Sequence, residues 1–211
     1  MIGQARLRVL QTEIAGCRRC STMRPWRQFG AEAYGSATTG YLLVGEAPGY
    51  VSLRNRRRFT GPAGLLIRRA LRAVGHSRYR HLEDLFYMTD AVKCHPAVSK
   101  RSAVNRSPRR SEIRMCADYL TRELHVLRPS VIVCFGKLAA QSVARAVAEA
   151  ESMRSHDRPP AVITFPHPSP RNQVTIRKSY PSMQAFEQAI AATFRALIDR
   201  LEARKAVKRQ A

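Results

Sequence analysis

Four short apolar runs, separated by stretches with helical spacing, leave this chain few folds. Tyr41-Leu42-Leu43-Val44 stops at Gly45, and Phe86-Tyr87-Met88-Thr89 follows. Val131-Ile132-Val133-Cys134-Phe135 is apolar throughout and turns at Gly136, and Ala161-Val162-Ile163-Thr164-Phe165 is the fourth run. Helices are expected over residues 4–15, from Pro62 to Val74, from Ser111 to Leu127, from Lys137 to about Glu149 and from Met183 to Val207. Pro62 suits a first helical turn, where its missing N–H costs nothing. Strands alternating with helices build βαβ units. The expected fold class is therefore α/β: a single three-layer α/β/α domain over residues 1–211 around a central four-stranded, mostly parallel sheet. Ligands of such sheets sit beyond the strand carboxyl ends. Two loops, 97–110 and 152–160, read as mobile, and no internal repeat is present.

Charge narrows the partner. Lys and Arg number 37 against 15 Asp and Glu, a net charge of +22. That excess suits a polyanion, and nucleic acid is the natural one, because each neutralised phosphate releases counterions. The alternative is a basic tail or a general Arg bias, since Arg is spread over the whole chain. No apolar stretch approaches the ~20 residues a membrane span needs. Met1 to Ile14 has no continuous apolar run and is not a signal peptide. A cytoplasmic monomer that does not enter membranes is expected.

Four of the five cysteines form a pattern: Cys17 and Cys20 as C-x-x-C, then Cys94 and Cys116. In a reduced compartment such a set binds a metal or cluster rather than forming disulfides. Four thiolates fit tetrahedral zinc or a [4Fe–4S] cluster, and spacing alone does not choose. Cys134, mid-strand among valines and isoleucine, reads as a buried unligated thiol. Two turns follow strands directly. Gly45-Glu46-Ala47-Pro48-Gly49 offers small residues that let a ligand approach the backbone. His167-Pro168-Ser169-Pro170-Arg171-Asn172 holds an imidazole between prolines that stiffen the loop.

The G-E-A-P-G turn, the C-x-x-C, the later cysteine pair and the H-P-S motif together resemble the uracil-DNA glycosylase superfamily, and within it the iron–sulfur branch. The resemblance runs from about Cys17 to Asn172, nearly three quarters of the chain. It implies that Cys17, Cys20, Cys94 and Cys116 hold a structural [4Fe–4S] cluster. It implies an enzyme that flips a nucleotide out of DNA and hydrolyses its glycosidic bond. His167 would donate to the base O2 as negative charge grows there. Phe59 would stack on the flipped base, and the backbone around Gly45, Glu46 and Ala47 would line the pocket, with Tyr50 shaping it. Arg171, with Ser169 in the same turn, would enter the gap left in the DNA, and Arg57 and Arg58 would contact its backbone. The H-P-S-P-R-N wording is closer to the single-strand-selective group than to the iron–sulfur branch.

Three departures bear on mechanism. The base-reading Asn of the family is Asp90 here. A carboxylate only accepts hydrogen bonds unless protonated, so a pocket that also admits hypoxanthine or xanthine is expected. The water-activating acid expected at Ala47 is missing, and Tyr50-Val51-Ser52-Leu53 holds no carboxylate, which leaves Glu46 to orient the water or steady the sugar cation. Gly49 stands where some relatives carry a thymine-excluding Tyr. Finally, the loop between Cys94 and Cys116 is long and basic (Lys100, Arg101, Arg106, Arg109, Arg110), as is the chain end 204–211. Arg54 to Arg58 contains no His of the kind that traps the abasic sugar in a sister group, so turnover is expected. The reading is a monofunctional glycosylase acting on uracil in single- or double-stranded DNA. The alternatives are a catalytically weakened iron–sulfur nucleic-acid binder and a zinc-stabilised RNA-binding module.

Overall fold

The structure, a computed structural model, describes residues 2–20, 31–99, 102–152 and 158–210. Helix α1 (Ile2–Gly16) leads to a short 3-10 turn (Ala31–Tyr34) and strand β1 (Tyr41–Gly45). Then come α2 (Tyr50–Arg54), α3 (Pro62–Val74), α4 (Leu82–Leu85) and β2 (Tyr87–Asp90). Helix α5 (Arg110–Leu127), β3 (Val131–Phe135), α6 (Lys137–Ser152) and β4 (Ala161–Phe165) follow. A 3-10 turn (Pro170–Asn172), α7 (Gln173–Arg177) and α8 (Met183–Gln210) close the chain.

The four strands form one sheet in the order β2-β1-β3-β4, every pair parallel. Alternation within each strand sends side chains to two cores. Tyr41, Leu43, Met88, Val131, Val133 and Phe135 face α3 and α8, through residues such as Leu71 and Phe194. Leu42, Val44, Tyr87, Ile132 and Cys134 face α5 and α6, through Leu120, Leu124, Val143 and Ala146. Helices thus cover both faces, and β1 and β3 are buried end to end. Each fully buried aliphatic side chain here contributes ~2 kcal/mol. Strand β4 is an edge strand with Ala161, Val162 and Thr164 exposed. The second strand ends one residue later than its apolar run suggests, at Asp90, because Asp90 pairs in register with Gly45.

This topology makes the site. The chain leaves β1 to one side to form β2, then crosses to the other side to form β3. The crevice between the carboxyl ends of β1 and β3 is therefore the switch point at which an open α/β sheet binds ligands.

No described helix is long and apolar enough to cross a membrane. The loop 97–110, read from sequence as mobile, is built in its described residues as a closed hairpin. Ala97 bridges Asn105 antiparallel, Val98 N–H donates to Val104 C=O at 3.2 Å, and Arg106 N–H donates to Pro96 C=O at 2.9 Å. Arg106 then clamps Glu112 at the start of α5 with two bonds of 2.6 and 2.8 Å. Lys100, Arg101 and most of the expected 152–160 loop lie outside the described residues.

Candidate active site

Glu46 leaves β1 and His167 follows β4, yet both close on the same point, the α-carbon of Gly136 at the end of β3. A Cβ on Gly136 would lie 3.3 Å from His167 Cβ and 3.8 Å from Glu46 Oε2. Gly136 also has φ 100°, a conformation open to glycine and strained for other residues. The backbone that carries the imidazole is held within its own loop: Asn172 Nδ2 donates to the His167 carbonyl at 2.9 Å, and Ser169 Oγ accepts the Arg171 N–H at 3.2 Å. Arg171 itself is exposed. Burial holds the His167 imidazole below its ordinary pKa, so it is neutral near pH 7. Burial, and then the charge on Asp90, push the Glu46 carboxyl above the ordinary glutamate value.

The next wall belongs to Phe59, whose φ of 53° is left-handed. Such a value in a bulky residue persists only when its surroundings over-determine it. They do. Gly64 lies so close that a Cβ there would be 2.2 Å from the Phe59 carbonyl carbon. Arg68 Nε donates to the Phe59 carbonyl at 2.9 Å and its Nη2 to the Arg58 carbonyl at 2.7 Å. Arg68 is anchored by Glu83 at 2.7 Å, which Arg57 also grips at 2.7 Å. Burial pushes the Glu83 carboxyl up, but hydrogen bonds from Arg68 and Arg57 outweigh it and hold it at about 2. The Phe59 ring lies against Gly45: a Cβ on Gly45 would sit 3.1 Å from the ring and 2.5 Å from Asp90 Oδ1. Gly45, Phe59 and Asp90 therefore form one continuous surface at the end of β1 and β2.

Two sequence expectations change here. Arg58, read as a DNA-backbone contact, is 1% exposed and forms an ion pair with Asp90. Its guanidinium also lies 4.6 Å from the Tyr34 ring centroid. Arg57 has about half of its side chain in solvent, but it is engaged by Glu83. The arginine run is thus partly structural, for a reason that spacing does not reveal: carboxylates on other elements, buried Asp90 and partly buried Glu83, claim it.

Other contributors carried no signal in the sequence. His95 Nδ1 hydrogen-bonds the Pro48 carbonyl at 2.9 Å, and Asn105 Oδ1 accepts the Tyr50 N–H at 3.0 Å. Both come from the segment after Cys94, and they hold the G-E-A-P-G turn from outside. The Tyr50 ring stands 6.2 Å from the His95 ring. Ala47 turns its methyl toward the cluster of Leu10, Ile14, Val92, Cys116 and Tyr119.

Cys17, Cys20, Cys94 and Cys116 line one cavity, closed on one side by that apolar cluster. Lys93 N–H donates to Cys116 Sγ at 3.2 Å. Burial pushes the Cys116 thiol up to about 12 and raises that of Cys20. Among the described residues no group of three or more Cys, His, Asp or Glu side chains stands at metal-holding spacing. Cys134 lies apart in β3, fully buried, its thiol pushed up to about 12 by desolvation. Behind the cavity, the Lys93 ammonium is buried against Glu123 at 2.6 Å, Thr89 at 2.8 Å and the Asp90 carbonyl at 2.6 Å.

A family model of the uracil DNA glycosylase superfamily matches residues 32–191. A Type-4 uracil-DNA glycosylase of Archaeoglobus fulgidus is 36% identical over 131 residues, covering 62% of this chain and 60% of that protein. One of Pyrobaculum aerophilum is 32% identical over 137 residues, covering 65% and 64%. A Type-5 uracil-DNA glycosylase of the same organism is 27% identical and covers 85% of this chain and 89% of its own length. The aligned part of this chain spans less than two thirds of the length of both Type-4 relatives.

Proposed function

This chain belongs to the uracil DNA glycosylase superfamily, and from that premise we propose that it is a monofunctional DNA glycosylase of the iron–sulfur branch, releasing uracil from DNA by hydrolysis. The observation that carries the reading is the convergence of His167 and Glu46 on Gly136 at the β1/β3 crevice, with the Phe59 ring against Gly45 at the end of β1.

The deoxynucleotide enters flipped, with its base against Phe59. The bond from C1′ to the base nitrogen breaks and its electron pair leaves with the base. His167, neutral because it is buried, donates an N–H to the base O2 as that oxygen gains charge. A preorganised donor of this kind is worth ~3 kcal/mol. Glu46, as carboxylate, faces the sugar cation and orients the water whose oxygen adds to C1′. One water proton stays on the new C1′ hydroxyl and the other passes through solvent to the base anion, so the products are free base and an abasic sugar. Asp90 accepts an N–H from the base edge, which extends the range to hypoxanthine and xanthine. Exposed Arg171, held in its turn by Ser169, fills the vacated stack, and DNA in single- or double-stranded form is the partner.

A [4Fe–4S] cluster is the group proposed for the four cysteines, on the support that they line one cavity and a backbone amide donates to Cys116 Sγ. Held by Cys17, Cys20, Cys94 and Cys116, such a cluster would supply a structural cross-link between the N-terminal segment, the turn after β2 and α5, and no bond-breaking chemistry. Brown protein with stoichiometric iron and sulfide supports it, and colourless zinc protein refutes it.

The test of function is base release from matched oligonucleotides carrying uracil, hypoxanthine or xanthine, with His167→Ser alongside. Uracil release by wild type, reduced on the order of 100-fold in the variant, is expected. Iron-loaded protein that binds DNA and releases nothing would favour a non-catalytic binder.

A further inference from the structure

Arg58 has no part in the bond cleavage described above, yet it is among the largest fully buried side chains of the protein. Its carbonyl and that of Phe59 are both held by Arg68. The left-handed φ of Phe59 lets these two consecutive side chains diverge, the ring to Gly45 and the guanidinium to Asp90. Asp90 offers Oδ2 to Arg58, while its Oδ1 and the Phe59 ring both lie close to Gly45.

We infer that Arg58 is a positioning residue for base selection: pinned between the Asp90 carboxylate and the Tyr34 ring, it locks Asp90 as a hydrogen-bond acceptor beside Phe59, so that the pocket selects bases presenting an N–H at that edge. This rests on the proposed reading of Phe59 and Asp90 as walls of the base pocket. The physical need is plain. An isolated carboxylate buried in an apolar site takes up a proton and then donates as well as accepts. Burial pushes the Asp90 carboxyl up in this way, and the Arg58 charge is the first force that pulls it back. A lone acceptor requires a fixed cation, and an arginine, which does not deprotonate, is the side chain that guarantees one. The stem of Arg58 and the Tyr34 face keep that cation from swinging into the pocket. The other titratable groups around Asp90 are Lys93 from the turn after β2, Glu123 from α5, Glu46 from the turn after β1 and the Tyr34 phenol. Lys93 also pulls the Asp90 carboxyl down while Glu123, its own ion-pair partner, pushes it up, so Arg58 is the larger of the two cationic influences and the one that hydrogen-bonds the carboxylate itself.

The experiment is single-turnover release of uracil and hypoxanthine, as a function of pH, by iron-loaded wild type, Arg58→Met, Arg58→Lys, Asp90→Asn and the double variant Arg58→Met/Asp90→Asn. In Arg58→Met the hypoxanthine-to-uracil ratio is expected to change on the order of tenfold, the size of one charge-assisted hydrogen bond. The ratio is also expected to become pH-dependent, with the wild-type value regained as pH rises and Asp90 ionises. Arg58→Lys restores part of the ratio. Asp90→Asn shows no such limb, and adding Arg58→Met to it changes the ratio no further. An unchanged ratio and pH profile in Arg58→Met, at wild-type thermal stability and iron content, would overturn the inference. So would an equal effect of Arg58→Met in the wild-type and the Asp90→Asn backgrounds. If Arg58→Met does not fold, the comparison of the double variant with Asp90→Asn decides, because the double variant leaves no unpaired charge buried; a changed ratio there assigns Arg58 a separate role and overturns the inference. No release of any base by wild type removes both this inference and the functional reading beneath it. Release by wild type with an indifferent Arg58 removes this one alone.

Discussion

Glu46 sits where two opposing needs meet. In the proposed mechanism it must be ionised to face a sugar cation, yet burial and the neighbouring Asp90 charge raise its pKa above the ordinary value of 4.5. The active form is the deprotonated one, so uracil release should fall as pH drops through that raised pKa, and the acid limb should stand above the ordinary glutamate range. In Glu46→Gln this limb should disappear and the rate should drop on the order of 100-fold. Single-turnover rates across pH check both, and a Gln variant at the wild-type rate would take Glu46 out of the mechanism. The imidazole of His167 shifts in the opposite sense, lowered by burial, which keeps it a neutral donor near pH 7.

At the scale of elements, the hairpin between Cys94 and Cys116 is a brace rather than an appendage. It reaches back to the G-E-A-P-G turn through His95 and Asn105, and its own ends are tied to two of the cysteines. Asn105 accepts the N–H of Tyr50, the first residue of α2, which the chain leaves without a side-chain cap of its own. Asn105→Ala should therefore cost ~1 kcal/mol of stability, like other lost caps. Because the loosened turn carries Glu46, release of uracil should slow more than DNA binding weakens, and parallel measurements of the single-turnover rate and of affinity would separate the two. A variant with unaltered kinetics would show that the turn holds its shape without the hairpin.

For the molecule as a whole, the net charge of +22 sets how it would meet DNA as the proposed partner. Several arginines are consumed internally: Arg58 by Asp90, Arg68 and Arg57 by Glu83, Arg106 by Glu112. The remainder still leaves a strongly basic surface. Affinity for uracil-containing DNA should fall linearly on a log–log plot against salt, with a slope of about −0.9 per phosphate contacted in a duplex and about −0.7 in a single strand. Measured slopes on matched substrates count those phosphates, and salt-independent binding would refute an electrostatic interface.

The alternation of apolar runs with helical spacing was enough to read the strands, the main helices, the parallel sheet and the two turns that follow β1 and β4. These are local properties: period, turn residues and cysteine spacing travel with the chain. The same holds for the candidates at strand ends, Glu46 and His167. What spacing could not reveal is which distant residues claim each other. Asp90 and Arg58, Asn105 and Tyr50, His95 and Pro48 are separated by 32, 55 and 47 positions, and a run of arginines looks the same whether it meets phosphate or a buried carboxylate. Only the strand order β2-β1-β3-β4, which brings Gly45 beside Asp90 and Gly136 between Glu46 and His167, decides that. Burial then does the rest, because a charge removed from water must find its partner within hydrogen-bond reach.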